Sequence, residues 1–377
     1  MKPTRILIAP NAFKHSLDAT DAALAIQEGL LRSRLDCTCV CFPVGDGGDG
    51  TGALMIEKHR GALHFVDVAD PFGRSCSASF GLVDEGTTAI IEMAGASGIR
   101  LIKPEELDPL RATSYGTGQL MKQALDEGVN KLVLAIGGSA TVDGGTGILR
   151  ALGVRFLDVL GQELSSPVSL TELARIDVSN LDQRLSTCAV TILCDVDNTL
   201  LGDQGSAAVF GPQKGATPEC VRKLETSLAT FANIALQQTG IDMRPLRHGG
   251  AAGGVAAGLH TFLNARLVNG IDFFLDFTDF DRALMDADLV ITGEGSLDEQ
   301  TLHGKGPYGV ACRAKAKNLS VVGLAGKIPL EPSESLNAFF DTLLAIGNGP
   351  ADLVTALEQT KQNLIRTACQ LGNLRAS

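Results

Sequence analysis

Residues 5–51 read RILIAPNAFKHSLDATDAALAIQEGLLRSRLDCTCVCFPVGDGGDGT. The apolar run at 5–9 is closed by Pro10 and is too short for a helix, so it reads as a buried strand. Ser16 is placed to cap a helix reaching about Arg32, in which Ala19, Ala22, Ala23, Ile26 and Leu30 share one face. A second apolar run at 37–44 follows, then a Gly-rich turn at 45–50, then a helix from about Thr51. Strand, helix and strand in this order are the signature of a parallel α/β sheet.

The same alternation returns at the far end of the chain. Runs at 288–292, 320–325 and 342–346 read as strands, 308–317 as a helix, and 352–371 as a last helix with Gly372 as its stop. Between the two ends the pattern changes. Shorter, more alternating strands are expected at 64–69, 75–82 and 87–92. A helix at 116–127, a strand at 131–136, a helix at 145–152, a strand at 189–194 and a helix at 218–238 follow. The expected class is α/β. A doubly wound, Rossmann- or flavodoxin-like parallel-sheet domain is made from residues 1–65 plus 285–377, and a second α/β domain, 66–284, is inserted into it.

Composition narrows the function. The net charge of −11 argues against nonspecific nucleic-acid binding, which needs a basic face. It leaves room for phosphorylated ligands, which a few Lys and backbone N–H groups can hold. Nine Cys without a CxxC pair read as reduced thiols, with neither a disulfide framework nor a zinc site. No apolar stretch approaches the ~20 residues that span a bilayer, and the N-terminal apolar run is too short for a signal segment. The expectation is a cytoplasmic protein with no membrane partner. The 43 Gly, about 11% of the chain against a typical ~7%, gather in tight loops.

Those loops fall where strands end, which is where open α/β sheets place ligands. In Asn11-Ala12-Phe13-Lys14-His15-Ser16, a Lys just before a helix suits an anion; a solvated loop Lys is the plain alternative. In 45–51, Asp46 and Asp49 would repel a pyrophosphate but could bind Mg²⁺ or accept hydrogen bonds from a polyol. The loop 137–145, GGSATVDGG, offers N–H groups, Ser139, Thr141 and a helix start, a phosphate-loop logic without the P-loop consensus. Asp195 and Asp197 share a side of an extended chain, so they could hold Mg²⁺ or supply a base, and Lys214 could neutralise a transferring phosphoryl group. Glu294, Ser296 and Asp298, with Lys305 soon after, form a fifth loop, which could equally be a capped turn. Gly249 to Gly254 reads as a helix-starting turn or as close packing. No GxSxG elbow and no HExxH occur. Gly loops, Lys and carboxylates remain, a set that fits phosphoryl transfer.

Taken in order, these pieces resemble the bacterial type I glycerate kinase family. The matching strings run over nearly the whole chain: APNAFKHSL, PVGDGGDGT, IEMAGASGI, SYGTGQL, IGGSATVDGGTGILRALG, CDVDNTLLG, VFGPQKGAT, GGAAGGV and LVITGEGSLDEQT with GKGPYGVA. The N-terminal loop departs from a PDSFKGSL-like string at Asn11, Ala12 and His15, and Val142 stands where the pattern has Asn. The resemblance implies ATP, Mg²⁺ and D-glycerate, with 2-phosphoglycerate favoured over 3-phosphoglycerate as product. It also implies a site in the cleft between two α/β domains and allows a homo-oligomer. A kinase of another small hydroxy acid, or a non-catalytic nucleotide-binding sensor, are the rival expectations.

Within that frame Asp195 is expected as the base, with Lys14 and Asp46 also catalytic. Substrate and phosphate contacts are expected from Asn11, Ser16, Gly137, Gly138, Ser139, Thr141, Lys214 and Lys305. Metal contacts are expected from Asp197, Glu294 and Asp298.

Overall fold

The computed structural model describes residues 3–331 and 333–376. In chain order the strands are β1 (Thr4–Ile8), β2 (Cys37–Cys41), β3 (Ala62–Ala69), β4 (Ser75–Val83), β5 (Thr88–Glu92), β6 (Lys131–Ala135), β7 (Arg155–Leu157), β8 (Arg175–Asp177), β9 (Ala189–Cys194), β10 (Arg266–Asn269), β11 (Leu289–Ser296), β12 (Ser320–Lys327) and β13 (Thr342–Ala345). The chain divides into two compact units, 1–46 with 271–377, and 47–270. These bounds differ from the expected 1–65, 66–284 and 285–377 for a structural reason. Strand β3 pairs with β4 along its whole length, which carries 47–65 into the inserted unit. At the other end, Ile271 packs against Gly309 and Phe280 against Phe42, which carries 271–284 into the first unit.

The first unit holds a five-stranded, all-parallel sheet in the order β2–β1–β11–β12–β13. The central strands are apolar on both sides, as a parallel sheet covered by helices requires, and Ile6, Leu7, Ile8, Leu289, Val290 and Ile291 are buried. Helix Ala19–Leu31 covers one face with the last helix, Thr360–Arg375. Its N-cap is Asp18, whose carboxylate accepts from Asp21 N at 2.7 Å, not Ser16. Ser16 donates its hydroxyl to Leu357 O at 2.6 Å instead. Gly372 does not stop the last helix. It lies buried inside it, where an added Cβ would stand 2.2 Å from Ser33 Oγ, so it serves close helix packing.

The inserted unit holds a mixed sheet in the order β3–β4–β5–β6–β9–β10. Strands β3, β4 and β5 form an antiparallel meander, and β5, β6, β9 and β10 run parallel. A small antiparallel pair, β7 with β8, stands apart. Helices Tyr115–Asp126, Thr146–Ala151, Pro218–Thr239 and Ala251–Leu263 contribute to one large apolar core. The start of Ala251–Leu263 is unusual. Ala252, Gly253 and Gly254 all have positive φ, and a Cβ on Gly253 would stand 2.0 Å from Thr141 O. The Gly-rich string at 249–254 is therefore a left-handed entry pressed against the 137–145 loop.

Candidate active site

The first unit gathers its polar residues where the strand order reverses. Strand β1 leads outward to β2 on one side and is flanked by β11 on the other, and open sheets place ligands at the carboxyl ends of such a pair. The segment after β1 is zipped to β11 by Ala9 N to Ile291 O at 2.7 Å, Asn11 N to Gly293 O at 2.8 Å, and Thr292 Oγ1 to Ala9 O at 2.7 Å. Asn11 then donates Nδ2 to Asp46 Oδ2 at 2.8 Å. The same oxygen accepts Gly306 N at 3.3 Å, the first N–H of helix Gly306–Ala316, which suits a carboxylate. Glu294, at the end of β11, is only 7% exposed and accepts the Thr301 hydroxyl at 3.3 Å. Burial pushes its carboxyl up to about 7, and the charge of Asp46 adds to the effect. Lys305, Lys14 and the Thr301 hydroxyl pull the other way. Asn11, Asp46 and Glu294 are thus each buried, with two cations bearing on Glu294. Lys14 is exposed and Lys305 half-buried at the helix start.

The inserted unit builds its cluster on the loop after β6. Lys214, 3% exposed, donates Nζ to Ser139 Oγ at 2.8 Å and to Thr141 O at 2.7 Å. Burial pulls its ammonium down to about 7, with Asp143 opposing. Asp143 carries the loop. Its carboxylate accepts Ser114 N at 2.8 Å, Ser114 Oγ at 2.7 Å, Gly145 N at 3.0 Å and Gly147 N at 3.2 Å. The Thr141 hydroxyl is buried without a partner, an open donor inside the loop. Gly137 N–H is taken by Gly47 O at 3.1 Å, so that amide is engaged within the protein. Gly138 stands at φ +70°, where any side chain strains the backbone with or without a ligand.

Three expected residues are occupied elsewhere. Asp197 forms a two-pronged pair with Arg247, at 2.9 and 3.2 Å, and meets His248 Nδ1 at 3.3 Å. Asp298 caps the short turn Glu299–His303, accepting Gln300 N at 3.0 Å and the Ser296 hydroxyl at 3.1 Å. Ser16 serves Leu357, as described above. Among the described residues, no three His, Cys, Asp or Glu side chains form a group that could hold a metal ion. Asp195 lies half-buried directly past β9.

Sequence reasoning passed over Asp143, although it stood inside the quoted loop. The available signal was an acid two residues before the Gly145 N-cap of a helix, a position that invites N–H acceptance. It also passed over Glu92, which ends β5, accepts Gly52 N at 2.9 Å and has its carboxyl raised by burial. Nothing local to IEMAG marks that role.

The model of the glycerate kinase family matches residues 6–376. The chain is 43% identical over 365 residues to a glycerate kinase of Bacillus subtilis (strain 168), covering 97% of this chain and 96% of the relative. It is 41% identical over 348 residues to a glycerate 2-kinase of Escherichia coli (strain K12), covering 91% of each. The fold matches the crystal structure of a protein assigned as glycerate kinase 2 from Salmonella typhimurium LT2 with a TM-score of 0.82. That match covers 99% of this chain and 98% of the other at 41% identity. Among the described residues, no helix is long and apolar enough to cross a membrane.

Proposed function

The chain belongs to the glycerate kinase family, and from that membership we propose that it transfers the γ-phosphate of ATP to the 2-hydroxyl of D-glycerate. The choice of the 2-hydroxyl follows the name of the Escherichia coli relative. The observation that carries the reading is the buried Asp46–Glu294 pair with Lys14 and Lys305 at the reversal of strand order. Glycerate offers one carboxylate and two hydroxyls. Lys14 suits the carboxylate, and Asp46, fixed by Asn11 and Gly306 N–H, suits a hydroxyl donor.

We assign the base to Glu294 in preference to Asp195. A glycerate hydroxyl loses its proton late in a loose phosphoryl-transfer step, so the acceptor must be ready near neutral pH. Glu294 titrates there because it is buried beside another carboxylate. Within the inserted unit, the loop of Ser139 and Thr141 with Lys214 suits a phosphate group. An ammonium has three N–H groups, and two of those of Lys214 hold the loop.

The donor set fits Mg²⁺ that arrives on the nucleotide, since this ion commonly takes one or two carboxylates plus phosphate oxygens. Asp195, half-buried directly past β9, is the carboxylate we assign to it. Bound there, Mg²⁺ would neutralise charge on the transferring phosphoryl group. We propose the cytoplasm as the place of this reaction.

The test is product release with D-glycerate, L-glycerate and tartronate as acceptors. Enolase added alone consumes 2-phosphoglycerate and should give a signal. A signal that appears only after phosphoglycerate mutase is added would move the phosphate to the 3-hydroxyl. Faster turnover with tartronate would change the substrate.

A further inference from the structure

A cavity of about 270 Å³ opens in the inserted unit, beside the turn that joins β3 to β4. Two guanidinium groups line it. The Arg111 guanidinium lies 5.7 Å over the Phe72 ring, and that of Arg150 lies 5.5 Å over the Tyr115 ring. Thr113, Tyr115 and Ser165 add polar atoms to the wall. Arg150 is held in place by Ser165 O at 3.2 Å and Glu163 at 3.4 Å. Among the described residues Arg111 pairs with no carboxylate; its neighbour Arg74 takes both Asp70 and Glu106.

The walls are built rather than loose. Asp70, 4% exposed, accepts Phe72 N and Arg74 N at 2.8 Å each and fixes the turn that presents Phe72. Thr113 N donates to Pro71 O at 2.9 Å, joining the two sides. Thr113 and Tyr115 flank Ser114, whose N–H and hydroxyl are locked on Asp143. Two cations backed by aromatic faces, in a small concave site with fixed walls, are the usual means of gripping planar anionic groups.

We propose that this cavity binds a small organic dianion: a three- or four-carbon acid carrying a phosphate or a second carboxylate. The volume lies just below the roughly 300–1,000 Å³ of pockets for drug-sized ligands, which suits a small acid. Arg111 asks for one anionic group, and the Nη2 of Arg150, left over after Glu163 and Ser165 O take its other two nitrogens, can donate to a second. None of these residues belongs to the clusters assigned to glycerate, phosphate or the proton.

The experiment is calorimetric titration of the full chain, without nucleotide or glycerate, with phosphoenolpyruvate, malate and inorganic phosphate as probes. Because it reads binding alone, its outcome is independent of the kinase assay above. Phosphoenolpyruvate or malate should bind with Kd below about 1 mM, and inorganic phosphate more weakly. Arg111→Ala, a change at an exposed side chain, should weaken the better probe at least tenfold, and Arg111→Lys by less, because Lys lacks the planar fork. Glycerate turnover of Arg111→Ala without probe should stay within about twofold of wild type. Equal affinity in wild type and Arg111→Ala would overturn the proposal. So would the absence of binding by both two-anion probes at that concentration.

Discussion

At the scale of single residues, Glu294 and Lys14 carry the sharpest expectations. The Glu294 carboxyl sits above its ordinary value, so the proton-accepting form gains ground as pH rises through about 7. The acid limb of kcat/KM should have its midpoint there, and Glu294→Gln should remove the limb together with a factor of about 10² to 10⁴ in kcat. Stability offers a second reading. Folded Glu294 keeps its proton where the unfolded chain has lost it, so the native state loses ground between about pH 4.5 and 7. Relative to wild type, Glu294→Gln should gain stability between pH 5 and pH 8 in urea titrations; a constant difference would remove burial as the cause. Lys14→Ala should lower kcat/KM by roughly 10²-fold, about 2.7 kcal/mol, and unchanged kinetics in the folded variant would take Lys14 out of the site. The candidates themselves could be picked out from residue type and position after a strand. Their ranking could not, because what raises Glu294 is burial beside Asp46, 248 positions away in sequence.

At the scale of elements, the loop 137–145 depends on one carboxylate. Asp143→Ala would leave the N–H and hydroxyl of Ser114, and the amides of Gly145 and Gly147, buried without their shared acceptor. A loss of about 3 kcal/mol or more is expected in chemical denaturation, since each such group costs roughly 1–3 kcal/mol when orphaned. A loss under about 1 kcal/mol would mean that water replaces the carboxylate. Apolar runs marked most strands well: 189–194 coincides with β9, and 75–82 falls one residue short of β4. Caps were less legible. Ser16 and Asp18 both suit a helix start, but Ser16 lies in the turn closed by Phe13 and Leu17 and bonds Leu357, which leaves the cap to Asp18. Strand β10 escaped notice because its four residues, RLVN, show no period that sets them apart.

At the scale of the whole molecule, activity should respond to one titrating group in each unit. Glu294 gives the acid limb, and Lys214, drawn down to about 7 by burial, gives the alkaline one. The profile of kcat/KM, which reports the free protein, should therefore be a narrow bell centred near neutrality. Lys214→Arg keeps its charge throughout and should flatten the alkaline side while leaving the acid side in place. A broad plateau from pH 6 to 9 in the wild type would contradict both assignments. The edges of the two units were not readable in the sequence, because 47–65 and 271–284 are assigned by the sheet and core they join rather than by local composition.

The discontinuity of the first unit also has a consequence for biosynthesis. Strand β1 leaves the ribosome early, but its central neighbour β11 follows roughly 280 residues later. At 5–20 residues per second, the edge of β1 waits about 15–60 s for its partner. During that interval the inserted unit can complete its own six-stranded sheet, whose partners all lie within 47–270. The unit that begins first is thus the one that finishes last. A nascent chain stalled before residue 289 presents an apolar strand with one open edge, which is the form that chaperones recognise and that aggregation exploits.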